Sequence, residues 1–397
     1  MKYSSKIKKS ELSPIRKFST LVNETKAKGI KVYPLNIGQP DVKTPEIFYD
    51  TVRAFSEPVL SYAPSEGIPA LLEAVKGYYN KIGVKLENEN ILPASGGSEA
   101  FQMILSCILD EGDEILIPEP FYPNYATSVN LCGGKIRPIP TDPDAGYSYA
   151  DREKIESLIN EKTRAIFITS PGNPTGNVLS DDEMKLLLDI VKEHELFLVC
   201  DEVYREFVYS DKPLMSSLQY EGYEENVIVI DSVSKRFSAC GARVGMVISK
   251  NTEFIQEALK WCQCRLCVAT LDQLGAAALY TLPDNYFDSV KAEYKKRRDT
   301  MYKKLMEIPG VKCTLPEGAF YFMVTLPVDD TEKLQSFLLR DFNDKGETVL
   351  FSCGAPFYGT EGRGRNEIRL AYTINCDNIE RAVDILKLGI EKYNMKV

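Results

Sequence analysis

The clearest pattern along the chain begins near residue 90. There, amphipathic stretches with apolar residues three and four apart give way repeatedly to short solid apolar runs. "SEAFQMILSCIL" is followed by "EILIP", "DREKIESLI" by "AIFIT", and "DDEMKLLLDIVKEH" by "LFLVC" and later "VIVIDS". Apolar runs without alternation suit strands covered on both faces, and helices alternating with them predict an α/β fold with a mostly parallel sheet. Further on, the long amphipathic "DNYFDSVKAEYKKRRDTMYKKLMEI" leads into "GAFYFMVTL", "TEKLQSFLLRDF", "TVLFSCG", "NEIRLAYT" and "DNIERAVDILKLGIEKY", which read as a smaller α+β domain. The opening residues carry loop signals in "LNIGQPDVKTP" and are expected to run over a surface or between domains. The expected division is a large α/β domain over 47–284 and a small domain built from 1–46 and 285–397. No internal repeat, low-complexity tract or heptad run interrupts this picture.

Composition narrows the function classes. At 397 residues and 44% hydrophobic, the chain can bury a sizeable core and is long enough for two globular parts. The net charge of −9, without a long run of either sign, argues against nucleic-acid binding. The polar, lysine-rich "MKYSSKIKKSELSP" is no signal peptide, and no apolar stretch is long enough to span a membrane, so a cytoplasmic protein is expected. Ten cysteines are scattered, Cys107 and Cys200 inside apolar runs, as buried thiols in a reducing compartment would be. The cluster Cys262, Cys264 and Cys267 lacks paired C-x-x-C spacing and reads as helix packing, so no metal is expected. The single histidine, His194, closes a helical stretch as a C-terminal cation, which leaves little room for Ser/His/Asp or multi-histidine chemistry.

In an open parallel sheet, ligands bind beyond the carboxyl ends of the strands, so the residues just after each apolar run are the candidates. After "AIFIT" comes "SPGNPTG", a proline- and glycine-fixed loop holding out Asn173; after "LFLVC" comes "DEVY", with Asp201 and Tyr204; after "VIVIDS" comes "VSK", with Lys235. "ASGGSEAF" opens a helix whose first backbone N–H groups suit an anion such as phosphate. Singly, each has a bland reading: a β-turn, a solvated strand end, a surface lysine, a helix entry. Together, a phosphate cradle, a carboxylate, an asparagine and tyrosine, and a lysine flanked by Ser232, Ser234 and Arg243 fit a pyridoxal 5'-phosphate site.

With "SPGNPTG", "DEVY" and "SVSKRFSACGARVG" in this order, and matches from "LNIGQPD" to "NEIRLAY", the chain resembles the class I and II aminotransferases of the aspartate aminotransferase fold over essentially its whole length. The resemblance implies fold type I of the pyridoxal-phosphate enzymes, with the cofactor bound by the large domain. It makes Lys235 the residue linked covalently to the cofactor, with Ser232, Ser234 and Arg243 on its phosphate. Asp201 would face the pyridine nitrogen, while Asn173 and Tyr204 bond the ring's phenolic oxygen. Gly97, Ser98 and Glu99 match the phosphate-cradling turn, where the family more often has Gln or Lys in place of Glu99; a backbone contact tolerates the change. Tyr122 matches the aromatic stacked on the ring, with Phe121 and Tyr125 as neighbours that could take that place. Tyr62 matches a tyrosine reaching the phosphate of a neighbouring subunit, implying a homodimer with shared sites. Arg369 matches the arginine that binds the substrate α-carboxylate bidentately, and Gly38 borders the same pocket with Asn173. A departure from the family pattern, "SCGAPFYG", falls near the substrate and bears on side-chain specificity.

The resemblance thus implies transamination between an L-amino acid and a 2-oxo acid, with Lys235, Asp201 and Tyr204 as the catalytic set. A carbon–sulfur β-lyase or an aminocyclopropane-carboxylate-type synthase would use the same cage. A non-catalytic regulator of the same fold is a further alternative, against which stand the retained Lys235 and the acidic charge. Aspartate with 2-oxoglutarate is the favoured pair, with Arg16 in "SPIRKF" a candidate for the distal carboxylate. Aromatic and alanine donors stay open.

Overall fold

Ala165 and Phe167 of the run "AIFIT" pack into one apolar cluster, while Ile166 and Ile168 between them pack into another. Successive side chains of a strand point to opposite faces, so both faces of this one are buried, as a continuous apolar run requires. The computed structural model describes residues 1–10, 12–210 and 215–396. Among them are the strands β1 (Lys31–Pro34), β2 (Ile91–Ala94), β3 (Glu114–Pro118), β4 (Lys135–Ile139), β5 (Thr163–Thr169) and β6 (Phe197–Asp201). They are followed by β7 (Val227–Ser232), β8 (Gly245–Ile248), β9 (Tyr321–Thr325), β10 (Glu347–Leu350), β11 (Ser352–Cys353) and β12 (Glu367–Ala371).

Seven of these form one sheet in the order β2-β8-β7-β6-β5-β3-β4. All neighbours from β7 to β4 are parallel, and β8 runs against both β2 and β7. Apolar clusters cover both faces, so the expected mostly parallel, helix-covered sheet is what the chain forms. Pro93 sits inside β2 because β2 is an edge strand, where a missing N–H breaks no inner ladder. A three-stranded antiparallel sheet, β11-β12-β9, and the parallel pair β1-β10 make up the rest.

The opening segment departs from the loop expected for it. It holds the helix Ser19–Ala27 and then β1, whose Lys31 pairs with Glu347. Val32 and Tyr33 are buried there, and the strand's partner lies so far along the chain that no local pattern announces it. Beyond β1, Leu35 donates to the Leu350 carbonyl at 2.8 Å and accepts from the Ala371 amide at 2.8 Å. That wedge carries the next residues, Asn36 to Gly38, to the end of the large sheet.

Cys262 is buried with its sulfur 3.4 Å from that of Met103, and Cys267 packs on the second cluster, but Cys264 is exposed, so the packing role holds for two of the three. His194 caps the helix Asp181–Glu193, 3.7 Å from Glu156. No helix among the described residues is long and apolar enough to cross a membrane.

Candidate active site

Because β5, β6 and β7 are parallel neighbours, they end side by side, Thr169 opposite Asp201 and Asp201 opposite Ile230. The residues that follow share one rim: Asn173 beyond β5, Asp201 closing β6 with Tyr204 just after, and Lys235 on the helical turn Val233–Arg236 that continues β7. They open into a cleft of about 1050 Å³, at the upper end of the range for small-molecule sites and roomy enough for a cofactor with a substrate. Of the cofactor- and substrate-site candidates, Gly38, Gly97, Ser98, Glu99, Tyr122, Asn173, Asp201, Tyr204, Ser232, Ser234, Lys235, Arg243 and Arg369 line this cleft, while Tyr62 and the alternative stacking ring Phe121, which is buried in the core, do not. Tyr62 is 81% exposed.

At one end of the cleft the helix Gly97–Ile108 begins on Gly96, which supplies no capping side chain, so the first-turn N–H groups stay available to an anion. Gly96 has φ +80, and a Cβ there would collide with the Arg243 guanidinium. Arg243 itself is left-handed (φ 51, ψ 45), a costly geometry for a non-glycine residue, and it donates to the Ser95 carbonyl at 3.1 Å and the Cys240 carbonyl at 3.0 Å. Ser232 Oγ lies 2.9 Å from both Ser234 Oγ and the Val244 carbonyl. The Glu99 carboxylate is folded back, accepting from the Ser95 amide at 2.5 Å and lying 3.7 Å from Arg265 Nε, so its charge is partly answered within the protein.

On the floor, Asp201 is 7% exposed. Burial pushes its carboxyl up to about 6, against the pull of the Tyr125 hydroxyl, the Val203 amide and the nearby Lys235 charge. Tyr125 donates to Oδ2 at 2.8 Å and Val203 N–H to Oδ1 at 3.2 Å. An acid whose folded pKa is raised binds its proton more tightly when folded, so its contribution is fully present below about pH 4 and is lost as pH rises through about 6. Asp201→Asn should therefore stabilise the protein dialysed free of small molecules by about 2–3 kcal/mol at pH 8, and by little at pH 4. Urea denaturation at the two pH values checks this; an equal effect at both would mean the carboxyl carries no such burden.

Lys235 Nζ donates to the Gly38 carbonyl at 2.8 Å and lies 3.9 Å from Cys240 Sγ. Tyr204 Oη is 2.9 Å from Tyr321 Oη, and Tyr321 packs so closely on Gly38 that a Cβ at that glycine would overlap its hydroxyl. Tyr122 lines the cleft, its hydroxyl accepting from Asn124 Nδ2 at 2.8 Å, whereas the Tyr125 hydroxyl is committed to Asp201.

Arg369 comes from β12, in the middle of the small antiparallel sheet, and is 1% exposed. Its Nη1 donates to Asn173 Oδ1 at 3.0 Å and its Nη2 to the Asn36 carbonyl at 2.6 Å, while Nε is buried with no partner. The Tyr321 and Phe357 ring centroids lie 4.5 and 5.1 Å from the guanidinium carbon. Phe357 belongs to the "SCGAPFYG" loop, so the departure from the family pattern packs directly on this arginine. Sequence reasoning missed the parts played by Asn36, Tyr321 and Cys240, and it weighed Tyr125 only as a stacking ring. Tyr125 had a signal, since it lies three residues after Tyr122, in the first turn of the helix Asn124–Leu131 that follows β3.

A sequence profile of the family aminotransferase class I and II matches residues 30–386. The chain is 31% identical to the aspartate aminotransferase of Bacillus subtilis over 378 residues, 94% of each chain. Its fold superposes on that of the aspartate aminotransferase of Thermus thermophilus with maleate at a TM-score of 0.89 and 25% identity, over 98% of this chain and 100% of that one. An alanine aminotransferase from Pyrococcus furiosus superposes equally well, with a TM-score of 0.89 and 30% identity over 98% and 100% of the two chains. The fold is therefore shared by enzymes named for different amino donors.

Proposed function

We propose, from the premise that the chain belongs to the class I and II aminotransferases, that it passes the amino group of aspartate to 2-oxoglutarate with pyridoxal 5'-phosphate held in the cleft. The chain is a transaminase by that membership. The donor rests on one observation. Four cations line the cleft: Lys235 beside Asp201, Arg243 at the uncapped helix start, Arg369 in the small sheet, and Arg16, which has no side-chain partner among the described residues. Tyr122 feels both Arg16 and Arg369, whose charges draw its pKa down against the larger upward push of burial. A substrate with two carboxylates answers both arginines.

What supports the cofactor is the fit of the residues present. The uncapped N–H groups of Gly97, Ser98 and Glu99, the Arg243 fork, and Ser232 and Ser234 suit a phosphate, and a buried carboxyl at Asp201 suits a pyridinium nitrogen. When bound, the group supplies a conjugated cationic ring that takes up the electron pair left when the substrate Cα–H bond breaks. Lys235 Nζ would be the base for that proton, and the Asp201 carboxylate would keep a ring nitrogen protonated. Asn173 and Tyr204 would hydrogen-bond the ring's phenolic oxygen, and Tyr122 is the aromatic that would pack on the ring. Arg369 grips the α-carboxylate and Arg16 the distal one, with Gly38 bordering the pocket.

Arg16, Gly38 and Arg369 come from 1–46 and 285–397, and Lys235, Asp201 and Asn173 from 47–284, so the division into two domains belongs to the same proposal, as does closure between them. Tyr62 is exposed together with Val59 and Leu60, which supports a homodimer in which this loop meets a second copy.

The test is the ratio of kcat/KM for aspartate to that for alanine. Arg16→Met should lower it about 10- to 100-fold, the worth of one charge-assisted contact. A wild-type enzyme that favours alanine or an aromatic donor, with a ratio indifferent to Arg16→Met, would overturn the aspartate reading.

A further inference from the structure

Asn36 touches the supports of both arginines. It follows β1 and Leu35, is 4% exposed, and lines the cleft between the small sheets and the short turn Pro14–Arg16. Its main-chain carbonyl accepts from Arg369 Nη2 at 2.6 Å and from Ser352 Oγ at 3.2 Å. Its side-chain Nδ2 donates to the carbonyl of Ile15, the residue before Arg16, at 3.2 Å. The Oδ1 of the same amide is buried with no partner. A leucine would fill this volume without stranding a buried acceptor, so packing alone gives no reason for an amide here. The bond to Ile15 does.

We propose that Asn36 is a positioning residue that sets the distance between the Arg369 and Arg16 guanidinium groups, and so the length of dicarboxylic substrate the cleft accepts. The inference rests on the reading of Arg16 as the distal-carboxylate site. Arg369 is held from two sides, by Asn173 and by the Asn36 carbonyl, and its place in β12 is fixed by the sheet. The Arg16 turn is only three residues long and has no side-chain cap, so the Asn36–Ile15 bond locates it relative to that frame. Tying the backbone beside Arg16 to the frame that holds Arg369 limits the span the two cations can bridge, so dicarboxylates too short or too long to meet both ends bind less well.

Unreactive dicarboxylates read this spacing without turnover. Isothermal titration of the wild-type holoenzyme with succinate, glutarate and adipate should show one length preferred by at least about tenfold, with propionate as the probe of Arg369 alone. Asn36→Leu should flatten the preference to within about twofold while weakening dicarboxylates more than propionate. Asn36→Asp, which keeps the shape but turns an acceptor toward Ile15, should do the same and serves if the leucine variant does not fold. A length preference that survives in both variants, or propionate binding that falls as far as dicarboxylate binding, would overturn the proposal. Arg16→Met separates the two ideas: if it abolishes the dicarboxylate advantage while the Asn36 variants keep their length preference, only the spacing role falls. If Arg16→Met leaves that advantage intact, the Arg16 reading falls and the spacing role with it.

Discussion

Lys235→Ala should lower amino transfer by at least about 10⁴-fold, the loss expected when one group serves both as covalent anchor and as general base. The fold should survive. Lys235 is only partly buried and its amine makes one strong hydrogen bond, to the Gly38 carbonyl, so truncation should move the unfolding transition by about 1 kcal/mol or less. Trp261, the chain's one tryptophan, lines the same cleft, so quenching of its emission on adding pyridoxal 5'-phosphate follows cofactor binding independently of turnover. The expected result is a variant that still quenches, through the cradle around Arg243, yet does not turn over. Residual transfer within about tenfold of wild type would remove Lys235 from the reaction.

The second large effect is at Arg369. Arg369→Lys keeps the charge but loses the planar fork that serves Asn173 and the Asn36 carbonyl with N–H groups to spare. An ammonium has donors enough, but gathered on one nitrogen they cannot reach two partners now served from separate Nη atoms together with a carboxylate. We expect kcat/KM to fall about 10²- to 10⁴-fold, two charge-assisted hydrogen bonds at about 1.5–3 kcal/mol each, and to fall alike for aspartate and alanine. That evenness would separate Arg369, proposed to meet what every amino acid shares, from Arg16, proposed to meet what only some carry. A loss confined to aspartate would exchange their roles.

The large sheet was legible because β3, β5, β6 and β7 are buried on both faces and leave solid apolar runs in the sequence. The reversed direction of β8 was not, since four apolar residues read the same either way along a strand. Asn173, Asp201 and Lys235 could be found because each follows such a run, and the fold needs only parallel pairing to bring them together. Tyr321 and Asn36 act through contacts made between distant segments: a hydroxyl 2.9 Å from Tyr204, a carbonyl under Arg369. Nothing in the residues around Tyr321 marks it, and the "LNIGQPD" around Asn36 points to Gly38 rather than to Asn36 itself. The helix and strand of the opening segment were hidden for the same reason, because what buries Val32 and Tyr33 lies near the other end of the chain.

The pairing of Lys31 with Glu347 has a consequence for how the enzyme is made. The two residues are 316 positions apart, and a ribosome adding about 5–20 residues per second takes on the order of 15–60 s to cover that distance. Throughout that interval β1 has no partner, and the carbonyl of Asn36 has no arginine to hold. The seven-stranded sheet, complete once β8 has emerged, can collapse around its own apolar faces well before then. A nascent chain can therefore acquire the rim that carries Asn173, Asp201 and Lys235 while Arg369, the cation proposed for the α-carboxylate, has still to be made.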